Sequence, residues 1–107
     1  MDAKPRILRF YRTENNTEPC NDWLTGLRDK EGRATIRTRL NRVQNGNLSN
    51  CRSVGDGVHE LKIDFGPGYR VYFAADGDSI ILLYGGDKST QVRDIVKAKE
   101  YWSDYNA

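Results

Sequence analysis

The stretch VHELKIDFGPGYRVYFAADGDSIILLYGGDKSTQVR, Val58–Arg93, decides the fold. Its opening, Val58–Asp64, alternates: His59, Leu61 and Ile63 point one way, and Glu60, Lys62 and Asp64 the other. That is the period-two signature of a strand. Gly66–Pro67–Gly68 then reverses the chain, as glycine and proline do in turns. Tyr69–Ala75 alternates again, with Tyr69, Val71 and Phe73 on one side and Arg70 and Tyr72 on the other. Asp76–Gly77 is a favoured two-residue hairpin turn. Ser79–Tyr84 is apolar at Ile80, Ile81, Leu82 and Leu83 without a break, the pattern of a strand covered on both faces inside a sheet. Parity then makes a testable statement. If Leu61, Ile63, Val71 and Phe73 face the core, Lys62 and Arg70 emerge together on the opposite face. That face is either a solvated surface with charges paired across strands or a site on which Glu60, Lys62, Arg70, Tyr72 and the Asp87–Lys88 loop converge.

Working outward, Arg6–Arg12 (RILRFYR) is a short strand candidate, and Thr13–Thr17 is turn-like. Pro19 suits the first turn of a helix. Cys20, Trp23, Leu24 and Leu27 then fall on one helical face. Asp29–Gly32 interrupts that helix, and a second is expected over Gly32–Gln44, with Ile36, Leu40 and Val43 as its buried stripe. Asn45–Gly46–Asn47 ends it, so the two helices make an αα-hairpin. On the second helix Arg33 and Arg37 flank the stripe on one side, and Arg39 and Arg42 lie round the other. They read as a solvated face or as the border of a nucleic-acid groove. Leu48–Gly57 is expected to be a loop ending in an Asp56–Gly57 turn. Gly85–Gly86 should permit unusual backbone angles and close approach of a ligand. Ser89 or Thr90 can cap a final helix to about Tyr105, with Val92, Ile95, Val96, Lys99 and Trp102 near one face and Trp102 as core or partner-interface material. His59 is expected on the core side. The order β-α-α-β-β-β-α describes an α+β fold, a mainly antiparallel sheet packed on helices.

At 107 residues the chain is expected to be one domain with a modest core. A net charge of +2 is too small to drive nucleic-acid binding by itself, so clustering of cations would have to do it. No apolar run is long enough to span a membrane, and a cytoplasmic location is expected. Cys20 and Cys51 lack Cys-x-x-Cys spacing and read as free thiols. His59 is the one histidine, which argues against a zinc centre, and no metal or other cofactor is expected. No P-loop, dinucleotide fingerprint or Ser/His/Asp constellation can be assembled.

Four motifs carry a resemblance: Trp23–Leu24–x–x–Leu27, Val54–Gly55–Asp56–Gly57–Val58–x–Glu60–Leu61, Gly66–Pro67–Gly68–Tyr69–Arg70–Val71–Tyr72–Phe73, and Gly85–Gly86–Asp87–Lys88–Ser89–Thr90–Gln91. With the element order, they make the chain resemble the RelE/ParE superfamily of toxins from type II toxin–antitoxin modules, in the HigB-like, phage Gp49-like branch also called addiction module killer proteins. The resemblance spans nearly the whole chain. It implies a compact microbial-ribonuclease-like fold and metal-independent cleavage of mRNA in the ribosomal A site, leaving a 2′,3′-cyclic phosphate and a 5′-hydroxyl. It also implies a helix-turn-helix antitoxin as partner, with operator DNA bound through that antitoxin, and no membrane association.

Such cleavage needs a base for the ribose 2′-hydroxyl, cations for the charge growing on phosphate, and an acid for the leaving oxygen. The ribosome can supply the in-line geometry. By position, the resemblance implies that Lys62 is the catalytic strand lysine, Arg70 the phosphate-stabilising arginine and Lys88 a further loop cation. Glu60 and Asp87 are candidate proton carriers, and His59, Tyr72, Arg39, Arg42 and Arg93 are candidate RNA contacts. Two positions depart from the nuclease pattern. Glu60 stands where a second strand lysine is usual, and Arg93 where a late-helix tyrosine is usual. A cross-strand ion pair explains Glu60 equally well. The alternatives on the same fold are a ParE-like toxin that inhibits DNA gyrase without cutting RNA and a binding member that has lost catalysis.

Overall fold

The computed structural model describes residues 5–107. In chain order these form β1 (Ile7–Phe10), α1 (Pro19–Gly26), α2 (Lys30–Gln44), β2 (Cys51–Gly55), β3 (Val58–Ile63), β4 (Tyr69–Asp76), β5 (Ser79–Gly86), one 3-10 turn (Lys88–Thr90) and α3 (Gln91–Tyr105). The five strands lie in the order β1-β5-β4-β3-β2. Neighbours are antiparallel except β1, which runs parallel to β5. The expected α+β architecture is thus the one observed, and β5 occupies the interior position its unbroken apolar run called for.

One strand was not anticipated. Part of the expected loop Leu48–Gly57 is the edge strand β2, paired with β3. An edge strand has only one neighbour to satisfy, and Arg52, Ser53 and Gly55 are exposed, so no alternation of apolar residues marks it. Its hairpin to β3 turns at Asp56 and Gly57, whose φ values of 57° and 84° suit the primed two-residue turns that match strand twist.

The sheet separates two cores. On one side α1 and α2 bring Cys20, Leu24, Ile36, Leu40 and Val43 onto Leu61, Ile63, Val71, Phe73, Ile80 and Leu82. Asp29 caps α2 by accepting from the Gly32 N–H at 2.9 Å and also accepts from the Tyr69 hydroxyl at 2.8 Å, which ties the helix start to β4. On the other side α3 covers Tyr72, Ala74, Ile81 and Leu83, with Tyr11 and Val58 beside it. A bulge shifts the β4–β5 register between Tyr72 and Phe73, so Leu83 and Tyr84 both contribute to the α3 side.

The face of α3 differs from the expected one. Val92 and Val96 are 82% and 55% exposed, whereas Asp94 and Ala98 are buried. Apolar periodicity cannot select a stripe whose first member is a carboxylate. Trp102 is half-buried and stacks on Tyr105 at 5.2 Å between ring centroids, in keeping with a structural role. Cys20 and Cys51 are both free thiols. Among the described residues no helix is long and apolar enough to cross a membrane.

Candidate functional site

The strand registers bring the cations together. Lys62 lies directly opposite Arg70, and Arg70 directly opposite Gly86, in one row across β3, β4 and β5. Direct partners share a face, so Lys62 and Arg70 emerge on the α3 side of the sheet. Lys62 is half-exposed there and pairs with Asp64 at 3.5 Å. Arg70 is only 5% exposed. Its Nη1 donates to the Gly68 carbonyl at 2.5 Å, which holds the guanidinium against the β3–β4 turn. Gly68 (φ +79°) also has the Lys88 Cβ beside it. A Cβ at Gly68 would come within 2.9 Å of Arg70 Nη1 and only into ordinary contact with Lys88, so the turn glycine leaves room for the guanidinium. Lys88 is exposed and borders a shallow concavity of about 450 Å³ that continues past Gln91, Val92, Arg93 and Val96.

Two residues inward, on the same face, is a second row, Arg52–Glu60–Tyr72–Tyr84. Glu60 is 2% exposed. Its Oε1 accepts from Arg52 Nε at 2.9 Å and its Oε2 from Gln91 Nε2 at 3.0 Å, while Arg70 Nε stands 4.0 Å from Oε2. Burial pulls the carboxyl pKa upward, but the bonds from Gln91 and Arg52 and the Arg52 charge outweigh it, and the net shift is downward. Glu60 is therefore a fixed anion and a weak base. Tyr72 is fully buried. Burial, and next the Glu60 charge, push its phenol pKa well up, although its hydroxyl lacks a partner at hydrogen-bonding geometry.

The two glycines at the end of β5 serve side chains of the protein itself. A Cβ on Gly85 would collide with the Trp23 ring, and one on Gly86 with the Asp94 carboxylate. Neither residue has a positive φ. The close approach expected of a ligand is made by Trp23 from one face and Asp94 from the other. Asp94 accepts from the Thr90 hydroxyl and has Arg93 Nε 3.8 Å away, so Thr90 turns its hydroxyl to Asp94 and does not cap α3. Capping of the preceding turn falls to Asp87, which accepts from the Ser89 N–H at 2.8 Å.

Of the residues singled out in the sequence, Lys62, Arg70, Lys88, Glu60 and Asp87 gather around the β3–β4 turn and the start of α3, with Arg93 at the edge of the concavity. The remaining four do not join them. Tyr72 shares the face but has no surface to offer. His59 is on the opposite face, stacked on Phe73 at 5.5 Å. Arg39 and Arg42 lie on α2, which packs against that same opposite face, and Arg39 donates to the Ser49 carbonyl. Arg52, Gln91 and Asp94 escaped the sequence reading. Arg52 sits in the unanticipated strand. Gln91 stood at the end of the last motif without an assigned partner. The signal for Asp94 was Gly86, which announces a close approach without naming the visitor.

With this geometry in view, the chain can be set beside known proteins. Residues 22–102 match the family described as phage derived protein Gp49-like (DUF891), a family associated with RelE-like toxins of toxin–antitoxin modules. An uncharacterised protein of Haemophilus influenzae (strain ATCC 51907 / DSM 11121 / KW20 / Rd) is 49% identical over 80 residues, covering 74% of this chain and 81% of its own length. No solved structure matches. With three quarters of its length inside the matched region, including most of α1, all of α2, all four antiparallel strands and most of α3, the chain belongs to the phage derived protein Gp49-like family.

Proposed function

We propose that the protein is the toxin of a type II toxin–antitoxin module and acts as a metal-independent endoribonuclease on ribosome-bound mRNA. The observation that supports this most is the register Lys62–Arg70 on one sheet face, with Lys88 against the same turn glycine. Three cations from consecutive segments can meet over one phosphodiester. In the reaction the ribose 2′-oxygen attacks phosphorus, the bond to the 5′-oxygen breaks, and a 2′,3′-cyclic phosphate and a 5′-hydroxyl result. Arg70 and Lys88 hold the phosphate oxygens as negative charge grows. Lys62, half in solvent, steers the 2′-hydroxyl. Glu60 is a buried counter-charge, so proton transfer falls to Asp87, partly exposed beside Lys88. Much of the acceleration comes from the ribosome presenting the RNA in line. The regulatory partner is a helix-turn-helix antitoxin, through which the pair contacts operator DNA.

The test is a purified translation reaction on a defined mRNA, with wild type, Lys62→Ala and Arg70→Ala. Lys62→Ala is the cleaner variant, because the side chain is exposed and its removal leaves the core intact. Cleavage within the reading frame, lowered roughly hundredfold by either change, is the expected result. Intact mRNA together with inhibited DNA gyrase would replace the nuclease by the ParE-like activity.

A further inference from the structure

Arg70 is nearly enclosed, yet one of its donors is idle. Nη1 donates to the Gly68 carbonyl, but Nε is buried and has no hydrogen-bond partner. The natural partner is Glu60, and its Oε2 stands 4.0 Å away. Charge-assisted pairs of this kind normally close to about 2.8 Å. The cause of the gap lies on two other elements. Arg52, directly across from Glu60 on the edge strand, holds Oε1 at 2.9 Å, and Gln91, the first residue of α3, holds Oε2 at 3.0 Å.

We propose that Gln91 and Arg52 are positioning residues that hold the Glu60 carboxylate off Arg70, and so keep the guanidinium's charge uncancelled for an anionic oxygen of the substrate. The inference rests on reading Arg70 as the phosphate cation. A closed arginine–carboxylate pair is nearly neutral to a third charge and already has its donors engaged. An arginine buried with neither a counter-ion nor a hydrogen-bond acceptor would be expelled toward water. Glu60 at 4.0 Å is the intermediate case: close enough to retain Arg70, too far to satisfy it. Because Gln91 opens α3, its contact with Glu60 links the seating of that helix to the readiness of Arg70.

The experiment compares wild type, Gln91→Ala and the double variant Gln91→Ala/Glu60→Gln by crystallography and by single-turnover cleavage. Thermal unfolding confirms that each is folded. Gln91→Met, which keeps the length and loses the donor, replaces Gln91→Ala if that variant is unstable. In the single variant the Arg70 Nε to Glu60 distance should fall to about 2.9 Å, and cleavage should drop about tenfold. The double variant keeps an amide oxygen that can hold Arg70 in place and has no carboxylate to cancel its charge, so it should recover to within about threefold of wild type. An unchanged distance in Gln91→Ala overturns the inference whatever the rates do. So does a double variant no better than the single, which is the result if Gln91 merely anchors α3. If the wild type cuts no RNA, the nuclease reading fails by itself. The same comparison is then made on the affinity for a five-nucleotide RNA, where a tenfold loss and recovery upholds the inference and equal affinities overturn it.

Discussion

The two faces of the sheet solve different problems. Toward α1 and α2 the interior is hydrocarbon and a buried thiol: Leu24, Ile36, Val43, Leu61, Ile63 and Val71 each have 1% exposure or less, and Cys20 none. Toward α3 the enclosed residues include Glu60, Arg70, Tyr72 and Asp94, and α3 is held by polar contacts along its length. Gln91 reaches Glu60, Thr90 holds Asp94, Lys99 pairs with Asp56 at 3.6 Å, Tyr11 donates to Asp104 and Tyr105 to Asp76. Apolar burial is tolerant of small displacements, whereas a hydrogen bond is not. One face therefore supplies cohesion, and the other supplies geometry, with polar groups whose enclosure costs stability unless every partner is present.

The contrast can be broken first on the oily side. Ile36→Ala and Leu61→Ala, both at positions with no exposure, should each lower the unfolding free energy by about 2–5 kcal/mol in urea titrations. A loss under about 1 kcal/mol would show that this face is not the main source of cohesion. The next effect is steric and divides the faces at adjacent residues. Gly85→Ala and Gly86→Ala should each cost about 1–3 kcal/mol. The first should disturb Trp23 and α1. The second should displace Asp94, and with it the first turn of α3, so RNA cleavage falls further in Gly86→Ala than in Gly85→Ala.

The third effect is a pH dependence confined to the α3 face. The Glu60 pKa is lowered in the folded protein, because the Gln91 and Arg52 interactions exceed the upward pull of burial. A depressed carboxyl contributes stability that is present above its unfolded value, and that is lost as pH falls through the folded one. Between roughly pH 5 and pH 3 the wild type should lose stability more steeply than Glu60→Gln, measured by urea unfolding across that range. Parallel curves would mean that Glu60 is not held as an anion. Smallest is the expected effect of Lys62→Ala or Asp64→Asn. This pair is exposed on both sides, and either change should shift stability by under about 0.5 kcal/mol. Lys62→Ala should nonetheless lose cleavage, which would separate chemistry from cohesion at a single side chain.

How much of this was legible in the chain follows the same division. The hydrocarbon face was readable because period and polarity coincide there. Leu61, Ile63, Val71 and Phe73 mark their strands, Ile36, Leu40 and Val43 mark their helix, and the parity that buries the first set brings Lys62 and Arg70 out together. The α3 face was readable only in part. Its enclosed residues are polar, so Asp94 looked like surface while Val92 and Val96 looked like core. Its edge strand carries no alternating pattern, so Arg52 lay hidden in an expected loop. Gly85 and Gly86 signal close approach, but the expected visitor, a ligand, is replaced by Trp23 and Asp94 of the chain itself, because a missing side chain does not say which neighbour fills the space. Glu60 was open to two readings, and its partners Gln91 and Arg52 are contacts that only the folded chain defines.

The parallel pairing of β1 with β5 has a consequence for the order in which the molecule comes together. Ile7 meets Ser79 and Phe10 meets Leu82, so β1 waits for β5, and closing so long a loop is an entropically late event. Lys88 and Gln91 follow later still. The row of cations can therefore be completed only after β5 and the turn that follows it have been made.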